Sequence, residues 1–227
     1  MSEETKFLHA IDLNNQQTCQ FIVQSGSINS LMQLGFWTEL PMDYYHYSLE
    51  ELRDNADQIF EKAVSPRGEI MFLASQLRKG LTLKVGGNPR ELTDEAKEKL
   101  LRKSDLELEM ERGRRLYKHD APGRLTCLYF AEDNDEGRAN LGRMLAHFKQ
   151  PYLLDVRVMY PTMADHRVDN RWYEAYADDP KEEYLEKYWV GEPFNDLPAW
   201  EYLLEGSLMV ADAKQRRYVE LYGSWQE

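Results

Sequence analysis

The sequence predicts an α+β fold in a single domain over residues 1–227, with a helical insertion at about residues 48–118. Three observations carry this. A short segment near the start, FLHAIDL, has strand-type composition. A block from Ser48 onward repeats helix caps and helical spacing, and after HDAPG the texture returns to strand, helix, strand. A chain of 227 residues with 42% apolar content can bury a sizeable core, so no disordered class is needed to account for it.

The elements follow in order. A first strand is expected at residues 7–13, around His9. Residues 15–40 carry apolar positions near helical spacing, interrupted by Gly26 and Gly35, and run into the aromatic loop GFWTELPMDYYHY, where Pro41 stops regular structure. That loop either lines a pocket or covers the core. Ser48 and Glu51 form a capping box, and Leu49, Leu52, Ala56, Ile59, Phe60 and Ala63 share one face, which predicts a helix to about Val64. Ser65 as N-cap, Pro66 at the first helical position and Gly80 after a basic last turn predict a second helix. LTLKVGGNP reads as a short β segment broken by Gly86, Gly87 and Pro89.

Thr93 opens a highly charged helix to about Tyr117, whose thin stripe of Leu100, Leu101, Leu108 and Leu116 predicts a surface position. RLTCLYFA alternates as a strand from residue 124, EDNDEGRANLGRMLAHF as a turn and helix, and YLLDVRV as the next strand. A helix is expected at DPKEEYLEKYW, within a polar and aromatic stretch at residues 162–190. PAWEYLLEGSLMV and AKQRRYVELYG are expected to supply the last strands.

Composition narrows the function. A net charge of −12 disfavours nonspecific attraction to nucleic acid or anionic membrane. No apolar run approaches the roughly 18 residues of a bilayer span, and MSEETKF has neither the basic nor the apolar part of an export signal. A soluble, cytoplasmic protein with no membrane partner is expected. Cys19 and Cys127 lack metal-ligand spacing and suit a reducing compartment as small buried residues. Histidines at positions 9, 46, 119, 147 and 166 form no H-x-x-x-H or H-E-x-x-H pair, so no metal is expected. P-loop, dinucleotide-fold and hydrolase-elbow motifs are likewise missing.

What remains is dispersed along the chain. FLHAI, then GRLTCLYFAEDNDEGRANL, then YLLDVRV, then YLEKYWVGEP leading into PAWEYLLEGSLMV resemble, in that order, a bacterial domain family related to ADP-ribosyltransferases. The last motif also looks like the Glu-bearing strand of diphtheria-toxin-like and poly(ADP-ribose)-polymerase-like transferases. The resemblance covers roughly residues 6–14 and 120–212. It implies a split antiparallel β-sheet of ADP-ribosyltransferase type holding NAD, the ADP-ribose donor, in a cleft. By this resemblance Glu201 is the catalytic carboxylate that anchors the ribose and stabilises positive charge as the glycosidic bond breaks. His9 would hold the ribose or carboxamide, Tyr129 would stack on nicotinamide or pack, and Arg124 would offer a fork to pyrophosphate. An arginine-first subclass would use Arg124 in place of His9, with Thr126 in support. The chain departs from the pattern at Ala199, where an E-x-E or Q-x-E pair would need a carboxylate or amide, and this disfavours arginine in proteins as acceptor.

Arg112, Arg114, Arg115, Lys118 and Arg124, with Tyr117 and His119 among them, form a basic and aromatic cluster suited to guiding a phosphate backbone and stacking a base. The resulting expectation is a mono-ADP-ribosyltransferase, of toxin or defence type, acting on RNA or DNA bases in preference to protein, with an antitoxin or other regulatory partner. Transfer to water, as an NAD glycohydrolase, and a non-catalytic acidic interaction module are the alternatives. Each residue also has a structural reading: a part-buried His9, a core Tyr129, a solvent-facing Glu201, a surface Arg124, and a basic cluster that merely ends a helix.

Overall fold

The computed structural model describes residues 5–31, 43–61, 65–81, 83–85, 88–89, 91–145, 148–159 and 165–224. The aromatic loop up to residue 42, the helix end at Val64, Gly86, Gly87 and His147 lie outside these. Among the described residues, seven strands form one antiparallel sheet in the order β2-β9-β6-β1-β5-β8-β7. The strands are β1 (Phe7–Asp12), β2 (Ser27–Asn29), β5 (Leu128–Glu132), β6 (Pro151–Met159), β7 (His166–Asp169), β8 (Trp200–Leu204) and β9 (Ser207–Val210). A separate small hairpin joins β3 (Lys84–Val85) to β4 (Asn88–Pro89). The α+β expectation therefore holds.

The sheet has a weak seam. β1 pairs with β6 over its whole length, from Phe7↔Val156 to Asp12↔Pro151, but with β5 only at Phe7↔Glu132 and Leu8↔Ala131. Strand alternation assigns the faces. Ile11, Leu128, Phe130, Leu154 and Leu204 point to one side, where α1 (Gln16–Ser25) and α9 (Ala213–Tyr222) cover them with Cys19, Ile22 and Val219. On the other side, Leu8, Ala10 and Ala131 meet Leu141 of α6 (Asp135–Leu145). Tyr129, Val168 and Leu203 meet Met110 of α5 (Asp94–Tyr117), Trp172 of α7 (Asn170–Asp178) and Leu185, Tyr188 and Trp189 of α8 (Glu182–Val190). A third cluster binds α2 (Leu49–Asp54), α3 (Ala56–Ile59) and α4 (Pro66–Arg78) to α5 through Leu52, Ala56, Phe60, Met71 and Leu108.

Local chemistry explains the boundaries. Asn15 caps α1 by accepting from the Thr18 amide at 3.0 Å, and Gly26 ends it at φ +73°. The Ser48–Glu51 box is made in both directions, at 2.7 and 3.1 Å. The helix it starts nevertheless ends at Asp54, and α3 begins at Ala56 after Asn55 leaves helical geometry, so the expected single helix is two short ones. Ser65 and Pro66 open α4 as their spacing predicts.

Three expectations fail for physical reasons. The α5 helix does not lie on the surface: Ser104, Glu107, Glu111 and Arg114 are buried beside Leu108 and Met110. Polar side chains that satisfy one another fill its inner face, so apolar periodicity understates the burial. The segment AKQRRYVELYG forms helix α9, not a strand, because Asp212 caps it through the Lys214 amide at 2.8 Å and Val219 anchors it to the core. Strand β5 begins at Leu128, since Thr126 and Cys127 still donate backwards to the Gly123 carbonyl at 3.1 and 3.0 Å. Strand β7 and helix α7 were not visible in residues 162–190.

Close helix packing sets a test. A Cβ at Gly113 in α5 would lie 2.4 Å from Leu185 Cγ in α8, whereas one at Gly142 in α6 would meet nothing within 4 Å. Gly142→Ala is expected to stabilise by up to about 1 kcal/mol. Gly113→Ala, despite the same helical gain, is expected to destabilise by about 1–3 kcal/mol through overpacking. Urea midpoints of the two variants at unchanged slope check the opposite signs.

Candidate active site

The site grows from one buried side chain, Asp169, at the end of β7. Its carboxylate accepts from the Arg171 amide at 3.1 Å, capping α7, and from the Phe194 and Ala199 amides at 2.8 and 3.0 Å. The loop after α8 is thereby fixed to the sheet, and β8 starts at Trp200 with Val168↔Glu201 in register. Alternation then turns Glu201 inward, on the face of Leu203 and Tyr129, with 1% of its surface exposed.

Glu201 does not face solvent there. Arg67, in the first turn of α4, donates from Nη2 to both of its oxygens at 3.1 and 3.4 Å. The same guanidinium lies 3.6 Å above the centre of the Tyr129 ring. Arg67 Nε stands 3.4 Å from Glu107 of α5, and Glu107 accepts a two-pronged pair from Arg124 at 3.0 and 3.1 Å. Tyr173 of α7 donates to Glu107 at 3.2 Å, and Tyr188 of α8 bonds to Arg124. The Tyr129 hydroxyl donates to the Arg124 carbonyl. Two arginines, two glutamates and three tyrosines thus form one buried network in which the charges cancel.

Burial by itself would raise the Glu107 pKa, but Arg124 and Arg67 outweigh it and hold that carboxyl below its ordinary value. Burial raises the Tyr129 hydroxyl and pushes the Cys127 thiol up to about 12, so both stay protonated near neutrality. Cys127 is a thiol packed in the core, 1% exposed.

The expected site residues separate into groups. Tyr129, Arg124 and Glu201 belong to the network. His9 touches it only through the backbone, its Nδ1 donating to the Tyr129 carbonyl across the seam. On β1 it alternates with Leu8 and Ala10, which places its ring on the side of Phe7 and Ile11, opposite Glu201. Arg124 is fully buried and engaged by Glu107 and Tyr188, leaving no fork presented to solvent. Thr126 belongs to a neighbouring cluster: with the Gly123 amide and the Tyr45 hydroxyl it donates to Glu205, whose pKa burial raises.

The basic cluster is paired throughout. Arg112 binds Glu109 at 2.8 Å and Glu182 at 2.7 Å, Arg114 and Arg115 both bind Glu111 at 2.8 Å, and Lys118 meets Asp120 at 3.0 Å. Arg114 is 2% exposed, which keeps it from a phosphate backbone in this arrangement.

Sequence reasoning missed Arg67, Glu107, Tyr173 and Tyr188. A signal existed for Glu107: with Ser104, Glu111 and Arg114 it repeats at helical spacing, as an apolar stripe would. Arg67 offered only its place two residues after the cap.

Among the described residues, no cluster of His, Cys, Asp and Glu is arranged to hold a metal, and no helix is long and apolar enough to cross a membrane. No family model and no curated protein matches the chain.

Histidine chemistry gives a test of the seam. Burial lowers the His9 pKa from 6.5, outweighing its bond to Tyr129. Below about pH 6.5 the unfolded chain therefore binds a proton that the folded one refuses, and stability falls as pH drops. Melting temperature is expected to fall more between pH 7 and pH 5 in the wild type than in His9→Gln, which keeps a donor but cannot titrate.

Proposed function

We propose that this chain is an NAD-dependent mono-ADP-ribosyltransferase acting on a macromolecular acceptor. One observation carries the reading: the Tyr129 ring and the Glu201 carboxylate hold a flat, delocalised cation between them, in the form of the Arg67 guanidinium. A stacked aromatic face and a fixed carboxylate in a water-poor setting suit the cationic nicotinamide end of NAD and the positive charge that develops on ribose. The seam between β1 and β5 supports a sheet of the split type, and the order of motifs supports the family.

In this reading Glu201 stabilises charge at ribose C1′ as the bond to nicotinamide breaks and its electron pair leaves with nicotinamide. An acceptor nucleophile then bonds to C1′, and its proton passes to Glu201. Tyr129 orients the flat ring. His9 acts as a positioning residue that holds the Tyr129 backbone.

The second reading, a non-catalytic interaction module, is favoured by the same network in one respect: its charges are already matched within the chain, as a purely structural set would be. Incubation with labelled NAD plus RNA, single-stranded DNA and protein separates the readings. Glu201→Gln, folded by circular dichroism, is expected to release nicotinamide about 10²–10³-fold more slowly than the wild type. Release without label on any polymer would identify transfer to water. Intact NAD with the wild-type chain and with an Arg67→Gln chain alike would leave the interaction module as the better account.

A further inference from the structure

The network around Glu201 is closed, and its members differ in how firmly they are held. The side chains of Glu107, Glu201 and Arg124 are 2%, 2% and 0% exposed, whereas Arg67, at 12%, is the most exposed of the four charged groups. Arg124 satisfies Nε, Nη1 and Nη2 within the network. Arg67 does not: its Nη1 is buried without a hydrogen-bond partner, and its contacts to the carboxylates run from 3.1 to 3.4 Å. A buried donor left unpaired is a cost that hydration would remove. The Arg67 amide itself is held only by the Ser65 cap, at 3.3 Å, within a turn whose Glu69 amide bonds the Ser65 carbonyl at 3.0 Å. Amides in a first helical turn have no intrahelical partners to lose.

We propose that Arg67 is a built-in stopper. Its guanidinium fills the slot between Tyr129 and Glu201, and the first turn of α4 withdraws it into solvent before a flat cationic ligand enters. The inference rests on the transferase reading, with the nicotinamide end of NAD as the displacing cation. Withdrawal bares the aromatic face and uncovers the carboxylate together, so the opened state is one that such a ligand relieves and that water relieves less well. The closed form lowers apparent affinity by the fraction of time the slot is filled.

The test uses the full chain. Arg67→Gln removes the resident cation and is expected to release nicotinamide at least about tenfold faster than the wild type at sub-saturating NAD, with the gain in KM. A folded Arg67→Gln that is no faster than an active wild type overturns the stopper and leaves the transferase standing. Inactivity of both chains overturns the two together. Because removing one partner of a buried pair can prevent folding, hydrogen exchange of the wild type provides a second measurement. Saturating NAD is expected to speed exchange of the Glu69 amide, whose 3.0 Å bond to the Ser65 carbonyl closes the first turn of α4, while slowing exchange in β5 and β8; unchanged or slower exchange at Glu69 overturns the proposal.

Discussion

Glu107 is the side chain on which the arrangement depends. A carboxylate that is 2% exposed keeps its charge only because Arg124 grips both oxygens and Arg67 lies alongside. Removing it would leave the buried Arg124 without a carboxylate and Arg67 with Glu201 alone, which is more costly than forgoing the set altogether. Each partner comes from a different element: Glu107 from α5, Arg67 from α4, Arg124 from the turn before β5, Tyr173 from α7 and Tyr188 from α8. The helical layer is thus registered on the sheet by charge. Apolar residues of equal volume would hold these layers at least as well, so stability alone does not account for an ionic core.

Tyr129 connects that network to the sheet. Its ring carries Arg67, its hydroxyl donates to the Arg124 carbonyl, and its own carbonyl accepts from His9. Three contacts on three sides leave it little freedom, at the place where β1 and β5 stop pairing. His9 reaches Tyr129 directly at its carbonyl, whereas Glu201 is linked to it only through Arg67, from the opposite face.

The sequence made the caps and most elements legible because those signals are local. Ser48, Ser65, Pro66 and Thr93 mark helix starts within one turn of where they occur. The motif resemblance singled out Glu201, Tyr129 and Arg124, which the fold brings into one network, and His9, which meets that network only at the Tyr129 backbone. The α5 core was hidden because a buried stripe of Ser104, Glu107, Glu111 and Arg114 has the composition of a solvated face; only long-range partners reveal the difference. Arg67 was hidden for the related reason that its meaning lies 134 residues away, in Glu201. The basic cluster looked like a surface for polyanions because linear charge does not show which carboxylates fold back on it, as Glu182 does on Arg112.

Pairing of this kind determines how ligands can act. Where cations and carboxylates are already matched, a ligand does not add a contact but exchanges one, and its net gain is the difference between two interactions. At the surface this sets a cost on polyanion binding, because Arg112 and Lys118 must first leave Glu182 and Asp120 while the chain's net charge of −12 opposes the approach of phosphate. In the exchange proposed for the slot, the balance runs the other way. An entering cation takes over the Glu201 and Tyr129 contacts that Arg67 releases, and the freed arginine recovers full hydration. Selectivity for a flat cation over an anion is therefore a property of the exchange itself, fixed by which charge remains fastened when α4 lets go.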